Sequence, residues 1–305
     1  MKKYIRFLLL CAGIAVLAGV AMFWWPEQPP DTPSTSATPV ASATDPTPTA
    51  PSPSPSAPTM PAQILHPIEA ITVPPTPNTE PVPPLASAER YVQQALADML
   101  SDADIARFLQ LGDFVRHLVA TVDNLPREHA PALIWPINPI AGHFSTGAGD
   151  DRHPVGPTAI HPKNDVRYSA FVSFVESVDT AKAVALYVRL YPLFEQAYVE
   201  LGYPSGHFNN RLVTVIDHLL ATPLMVGPLM VERVDVKGPY PALRPWVSYQ
   251  FVDPALAQLS AGQKMLLRSG SANQQRLLNK LRDFRALLTK APVSPTSPST
   301  SSQQG

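Results

Sequence analysis

Residues 180–223, TAKAVALYVRLYPLFEQAYVELGYPSGHFNNRLVTVIDHLLATP, constrain the fold more than any other stretch. At about 100° per residue, a helix over 180–201 places Lys182, Arg189, Gln196 and Glu200 on one narrow stripe. Val184, Tyr187, Val188, Tyr191, Phe194, Tyr198 and Leu201 cover most of the remaining surface. A helix so apolar has to be surrounded by neighbours, so it is expected to be the spine of a helical domain. Glu195 falls on the apolar arc, where a carboxylate needs a partner or a proton. Pro192 removes one backbone bond and predicts a kink or a split at Tyr191. Gly202 is suited to end the helix, and Pro204 follows it.

A second helix is predicted from Ser205 or Gly206 to Thr222, ahead of Pro223. Phe208, Leu212, Val215 and Leu219 repeat at helical spacing, and Val213, Ile216 and Leu220 widen the buried arc. His207, Arg211, Thr214 and His218 form a polar line on one face, bordered by Asp217. The short YPSG connection predicts an αα-hairpin. The candidate site is therefore the polar set Glu195, Tyr198, His207, Asn209, Arg211, Asp217 and His218. As chemistry, Glu195 in an apolar setting could serve as an acid or base, with His218 beside Asp217. As structure, the set is a buried network that pins two core helices, with Arg211 paired to Glu195. The structural reading is the expected one.

The run YPLFEQAYVELGYPSGHFNNRLVTVIDHLLATP resembles an uncharacterised proteobacterial family, domain-of-unknown-function family three thousand and fourteen. The earlier LVATVDNLPR and the later SAGQKMLLRSG fit the same pattern, and the likeness covers roughly residues 85–290. The resemblance implies a bacterial envelope protein with a membrane anchor and a soluble C-terminal domain. It brings no activity and assigns no catalytic residue.

From Met1 to Trp25 the sequence reads as a membrane segment. Lys2, Lys3 and Arg6 precede nineteen uncharged residues, close to the length that spans a hydrocarbon core of ~30 Å. Trp24 and Trp25 close it as interfacial aromatics. The basic flank places the N-terminus in the cytoplasm and everything after Trp25 outside it; with the bacterial envelope that the resemblance implies, these are the two sides of an inner membrane, and the domain is expected in the periplasm. A cleaved signal peptide is the rival reading, with Gly19 and Ala21 as a weak site.

Residues 26–84 read as a disordered linker: nineteen are proline, none is Lys or Arg, and most others are Thr, Ser or Ala. Extended polyproline geometry at ~3.1 Å per residue makes this a long tether. An apolar island, Ile64, Leu65, Ile68, Ile71 and Val73 around His66, interrupts it. The island is either an adhesive part of the linker or a short docking motif. Residues 291–305 are a disordered tail.

Residues 85–290 form the soluble, mainly α domain. Setting aside the three basic residues of the anchor and the five acidic residues of the linker leaves 20 basic and 19 acidic residues here. That balance argues against nucleic acid as a partner. The one cysteine, Cys11, lies in the membrane segment, so the domain rests on packing without disulfides. Helices are predicted over 87–100 with Ser87 as cap, from a Ser101 cap, and over 112–124. Asp123, Asn124 and Arg127 could reach the spine, but a solvated helix end is the simpler expectation. Residues 135–164 are irregular and hold His143, Asp150, Asp151, His153 and His161, whose spacings match no metal-ligand pattern. Further helices are predicted over 164–177 with Asn164 as cap, over 260–268 with Ser260 as cap, and over 273–290. On the last of these, Arg276, Lys280, Arg282 and Arg285 are expected to be wet. Residues 229–236 and 246–252 alternate like the strands of a β-hairpin.

No H-E-x-x-H, G-x-S-x-G or S-x-x-K motif occurs, and AGQK at 261–264 reads as a helix start rather than a phosphate loop. Nothing calls for a cofactor or a metal. The expected function is a membrane-tethered binding or scaffold module of the cell envelope, with an envelope protein or cell-wall material as partner. The alternative is an envelope enzyme with an acid/base site on the central hairpin. A small-molecule sensor with the irregular loop as lid is a third reading, which no residue selects.

Overall fold

The computed structural model describes residues 63–73, 81–147, 156–234 and 249–289. The membrane segment, most of the linker, Asp150, Asp151, His153 and the tail lie outside these residues. So does the turn predicted around Gly238, Pro239 and Pro241. Among the described residues, no helix is long and apolar enough to cross a membrane.

The chain is mainly helical. In order it forms α1 (Glu89–Ala97), α2 (Asp102–Phe108), α3 (Phe114–Asn124), β1 (Thr158–Ala159), α4 (Lys163–Ser177), α5 (Thr180–Glu200) and α6 (Phe208–Leu220). Then follow β2 (Met230–Arg233), β3 (Tyr249–Phe251), α7 (Pro254–Ala257), α8 (Ala261–Arg268) and α9 (Ser271–Leu288). The spine α5 is buried over most of its circumference, from Ala183 to Tyr187 and again at Leu190, Leu193, Phe194, Ala197 and Tyr198. α3 and α9 each pack on both α5 and α6, and α9 also covers α4.

Several boundaries follow directly from side-chain chemistry. Asp179 caps α5 by accepting from the Lys182 N–H at 3.0 Å. Gly202, at φ 111°, ends it in a Schellman turn, with Tyr203 N–H on Tyr198 O and Gly202 N–H on Val199 O. Ser101 caps α2 through Asp104 N–H, and Ser260 and Gln263 form a reciprocal capping box at α8. AGQK is thus a helix start, as its sequence indicates.

Other expectations need correction. Pro192 does not split the spine: α5 runs through it unbroken. Pro192 is exposed, so the bond it cannot donate to the Val188 carbonyl is missing on the solvent side of the helix. Ser87 caps no helix; Leu85–Ser87 is a 3-10 turn, and α1 starts at Glu89 without a side-chain cap. Asn164 is not a cap either. It is fully buried inside the first turn of α4, where its amide binds Ser145 N–H, Ser145 O and His161 O and fastens the irregular loop. Lys280 is not wet but buried, with its ammonium on the Val178 and Glu176 carbonyls at the end of α4.

The strands form a three-stranded antiparallel sheet in the order β1-β2-β3 rather than a lone hairpin. Val231 pairs with Phe251 on one side and Thr158 on the other. The added strand is two residues from the irregular loop, too short for any period to reveal. Beneath the sheet, Phe144, Val231, Tyr249, Phe251, Leu256 and Leu267 make a second, smaller core.

The structureless linker predicted to Pro84 also gives way in part. Residues 63–73 lie on the helical domain, with Ile71 buried at 6% exposure in the main core and Ile68 and Val73 against it. The apolar island therefore has a binding surface, on its own chain.

α8 closes onto the end of α3 through Ala261 N–H to Arg127 O at 2.8 Å and Gly262 N–H to Leu125 O at 2.9 Å. A Cβ at Gly262 would lie 2.6 Å from Leu219 Cδ2 and 3.2 Å from Leu125 O. Gly262→Val is therefore expected to destabilise the domain by about 1–3 kcal/mol or more through overpacking. Urea unfolding followed by far-UV circular dichroism measures this; an unchanged midpoint would contradict the packing described.

Candidate functional site

The predicted polar set does not form one constellation. It divides into contacts that radiate from α6, and the most consequential involves a residue outside the set. Asp123, in the last turn of α3, is buried at 2% exposure. Arg211 Nε donates to Asp123 Oδ1 at 2.9 Å, and Arg211 Nη2 donates to Asp123 O at 2.8 Å. Arg127 Nη2 lies 2.6 Å from Asp123 Oδ2, and the Tyr203 hydroxyl donates to the same oxygen at 3.2 Å. Arg211 thus pairs with Asp123, not with Glu195. The expectation of a solvated α3 end is overturned at the same point.

The physical reason lies in the helix itself. A carboxylate near a helix C-terminus sits beside unpaired carbonyls and the negative end of the dipole. Buried there, it needs cationic donors. Arg211 binds both the side chain and the main-chain carbonyl of Asp123, so it neutralises the charge and satisfies the helix end together.

Glu195 finds other partners. Its Oε2 accepts from the Phe208 N–H at 2.9 Å and from the Tyr191 hydroxyl at 2.7 Å, and its Oε1 lies 3.1 Å from His207 Nδ1. Phe208 opens α6, and His207, the residue at the cap position, supplies no side-chain cap. Glu195 therefore caps α6 from the neighbouring helix and places its charge at the positive end of the α6 dipole. The tyrosine hydroxyls beside it are held protonated. Burial is the first cause for Tyr191, followed by its hydrogen bond to Glu195, and burial also leads for Tyr187.

Tyr198 is buried, stacked on Tyr203 at 4.5 Å between centroids and packed on Phe208. Its hydroxyl pKa is raised by burial and then by the Asp123 charge. Gly206 lies so close to this ring that a Cβ would be 2.8 Å from Tyr198 Cε1. Asn209 is fully buried; its Oδ1 accepts from the Tyr187 hydroxyl at 3.2 Å and its Nδ2 donates to His66 O at 2.8 Å. Asp217 faces outward and pairs with Arg285 of α9. It does not orient His218. His218 Nε2 instead lies 2.9 Å from Ser260 Oγ, and Gln263 Nε2 donates to His218 O at 3.2 Å.

The His218–Ser260 contact has the reach of a base and a nucleophile. Yet the same Ser260 Oγ accepts the Gln263 N–H of the capping box, and Ser260 is 7% exposed. Glu195 and His207 resemble an acid/base pair at 3.1 Å, but the other Glu195 oxygen is engaged by the α6 N-terminus and the Tyr191 hydroxyl. A small cavity of about 30 Å³ lies beside α1 and α3, lined by Leu85, Val92 and Phe114 among others, and none of the candidate residues borders it. In each case the contact has a structural use that accounts for it.

Residues 114–285 match a family described as a protein of unknown function, DUF3014. The chain belongs to that family. The DUF3014 match begins at Phe114 and so contains Asp123, Glu195, Arg211, His218 and Ser260, while α1, α2 and the docked segment 63–73 lie ahead of it. No curated protein and no solved structure matches the chain.

Asp123, Arg127, Tyr203, Ser260 and Asn210 stand outside the predicted set, although each holds one of its members or its neighbours. One signal was available, for Asp123 and its cations: an acid at a helix C-terminus needs cationic donors.

Burial pushes the His218 pKa below its ordinary 6.5, with the Arg211 charge adding to the effect. As pH falls through 6.5, the unfolded chain takes up that proton before the folded one does, so the His218 contribution to stability is lost on the acid side. Urea unfolding between about pH 7 and pH 5 should show stability falling, with a shallower slope in His218→Asn. An equal slope in the two proteins would contradict the assignment.

Proposed function

We propose that this DUF3014 chain is a binding module of a bacterial cell envelope, tethered to the inner membrane by residues 1–25 with its domain in the periplasm. The observation that carries the binding reading is the way the central polar residues are used. Glu195, Asn209, Arg211, Asp217 and His218 each bond to a helix end, a neighbouring helix or the docked segment. Groups spent in this way hold a shape. The tether reading rests on sequence: a basic flank, an apolar run of nineteen residues, and a proline-rich stretch without a single Lys or Arg. Such a layout lets a domain sample a layer away from the bilayer while staying attached to it. The chemistry of the partner follows from the near-neutral charge, which favours an envelope protein or cell-wall material over a polyanion.

A cysteine at Leu133, which is 72% exposed, would be the chain's second besides Cys11 and reports topology. In cells with a permeabilised outer membrane, Leu133→Cys should react with a membrane-impermeant maleimide before the inner membrane is broken. Labelling only after inner-membrane lysis would contradict the periplasmic placement. Photo-crosslinking from exposed positions of the domain should give an adduct of constant mass that depends on position. Adducts no different from those of the anchor and linker alone would contradict the binding reading.

A further inference from the structure

The segment carrying Gln63 to His66 is held on α6 by two adjacent asparagines. Asn210 Oδ1 accepts from Leu65 N–H at 3.0 Å and His66 N–H at 2.9 Å, while Asn210 Nδ2 donates to Gln63 O at 2.8 Å. Asn209 Nδ2 donates to His66 O at 2.8 Å. All four bonds go to backbone groups. They hold the main chain of a short stretch that bends at Leu65 and His66, whatever its side chains.

The side chains that a permanent strap would bury are left outside. Ile64 and Leu65 are 54% and 62% exposed, and the hold on this stretch is the two amides. Ile71, five residues beyond His66, is the part that enters the core. The segment therefore has a buried anchor and a lightly held front half. When that front half lifts, the fully buried Asn209 amide loses its acceptor and the Asn210 amide loses three partners. Asn209 Oδ1 keeps the Tyr187 hydroxyl, but its Nδ2 donor is left without an acceptor, which is costly where it stays out of water, so the site keeps its appetite for another peptide.

The geometry points to Asn209 and Asn210 as a peptide-docking site on α6, whose partner is an unpaired main-chain bend of another protein that turns two successive N–H groups to one acceptor. The chain's own Gln63–His66 stretch is the resident competitor. The inference rests on the binding-module reading and names the site and partner class for it. Recognition is by main-chain hydrogen bonds, as in strand addition, but to a bend rather than a strand and with the amides of one helix in place of a sheet edge. Because the resident segment is tethered, it competes at a high effective concentration, and a partner binds well only when that segment is displaced.

The test uses the full chain in mild detergent and a fluorescent peptide of residues 62–73. Ile71→Asp releases the resident segment. If that variant does not fold, Leu65→Pro with His66→Pro removes both N–H groups that Asn210 accepts and releases the front half with Ile71 in place. The released protein should bind the peptide roughly tenfold or more tightly than the unaltered chain. N-methylation of the peptide at Leu65 and His66, which removes both N–H groups, should weaken binding by roughly tenfold. Asn210→Ala in the released protein should do the same with the unfolding midpoint unchanged, while Ala at peptide positions 64 and 65 should change affinity by less than about threefold. Either of two results overturns the site: a folded, released protein that binds no better than the unaltered chain, or binding indifferent to N-methylation and to Asn210→Ala. An envelope partner crosslinked equally by the unaltered chain and by Asn210→Ala would leave the binding-module reading standing and remove this site from it.

Discussion

A buried carboxylate at the wrong end of a helix sets much of this architecture. Asp123 closes α3 where the helix already presents unpaired carbonyls, and its side chain is removed from water. That arrangement holds only if cationic donors are brought to it. Arg211 comes from α6 and Arg127 from the residues just after α3, and the Tyr203 hydroxyl comes from the turn between α5 and α6. Two parts of the chain far apart in sequence, 123–127 and 203–211, are thereby fixed to one point. The segment between Asp123 and Arg127 also offers the carbonyls of Leu125 and Arg127 to the first turn of α8, so the same corner locates the C-terminal helices.

A second interaction complements the first at the same end of α6. Glu195 projects from the spine and accepts the first N–H of α6, so the entry of α6 is fixed by α5 and its first turns are fixed to α3 by Arg211. Phe208 then inserts among Tyr187, Phe194 and Tyr198. Side-chain contact between the two helices centres on this entry, and α3 and α9 fill the space on either side. Of the other polar groups of α6, Asn209 and Asn210 hold Gln63–His66, so the rigidity built by Asp123 and Glu195 also presents the asparagines.

Much of the helical framework was legible from the sequence, because its signals are local: the apolar arc of α5, Gly202 as its stop, Ser101 and Ser260 as caps, and alternation over β2 and β3. The choice of ionic partner was not. A helical wheel places Glu195 on an apolar arc and Arg211 on a polar line, and proximity in the chain suggests joining them. The partner of Arg211 is 88 residues away, and no periodicity carries that information. The docking of 63–73 was hidden for a different reason. Proline-rich composition describes the average of a stretch, whereas one Ile71 and two asparagines of α6 decide where a piece of it rests. β1 escaped because two residues have no period.

The account stands on Arg211 serving Asp123 and not Glu195. A double-mutant cycle on urea unfolding free energies measures this directly, using Asp123→Asn, Glu195→Gln and Arg211→Met singly and in the two pairs that contain Arg211. The account predicts a coupling energy of about 1.5–3 kcal/mol between Asp123 and Arg211 and about zero, within ~0.5 kcal/mol, between Glu195 and Arg211. A large coupling of Arg211 to Glu195, with none to Asp123, would contradict it.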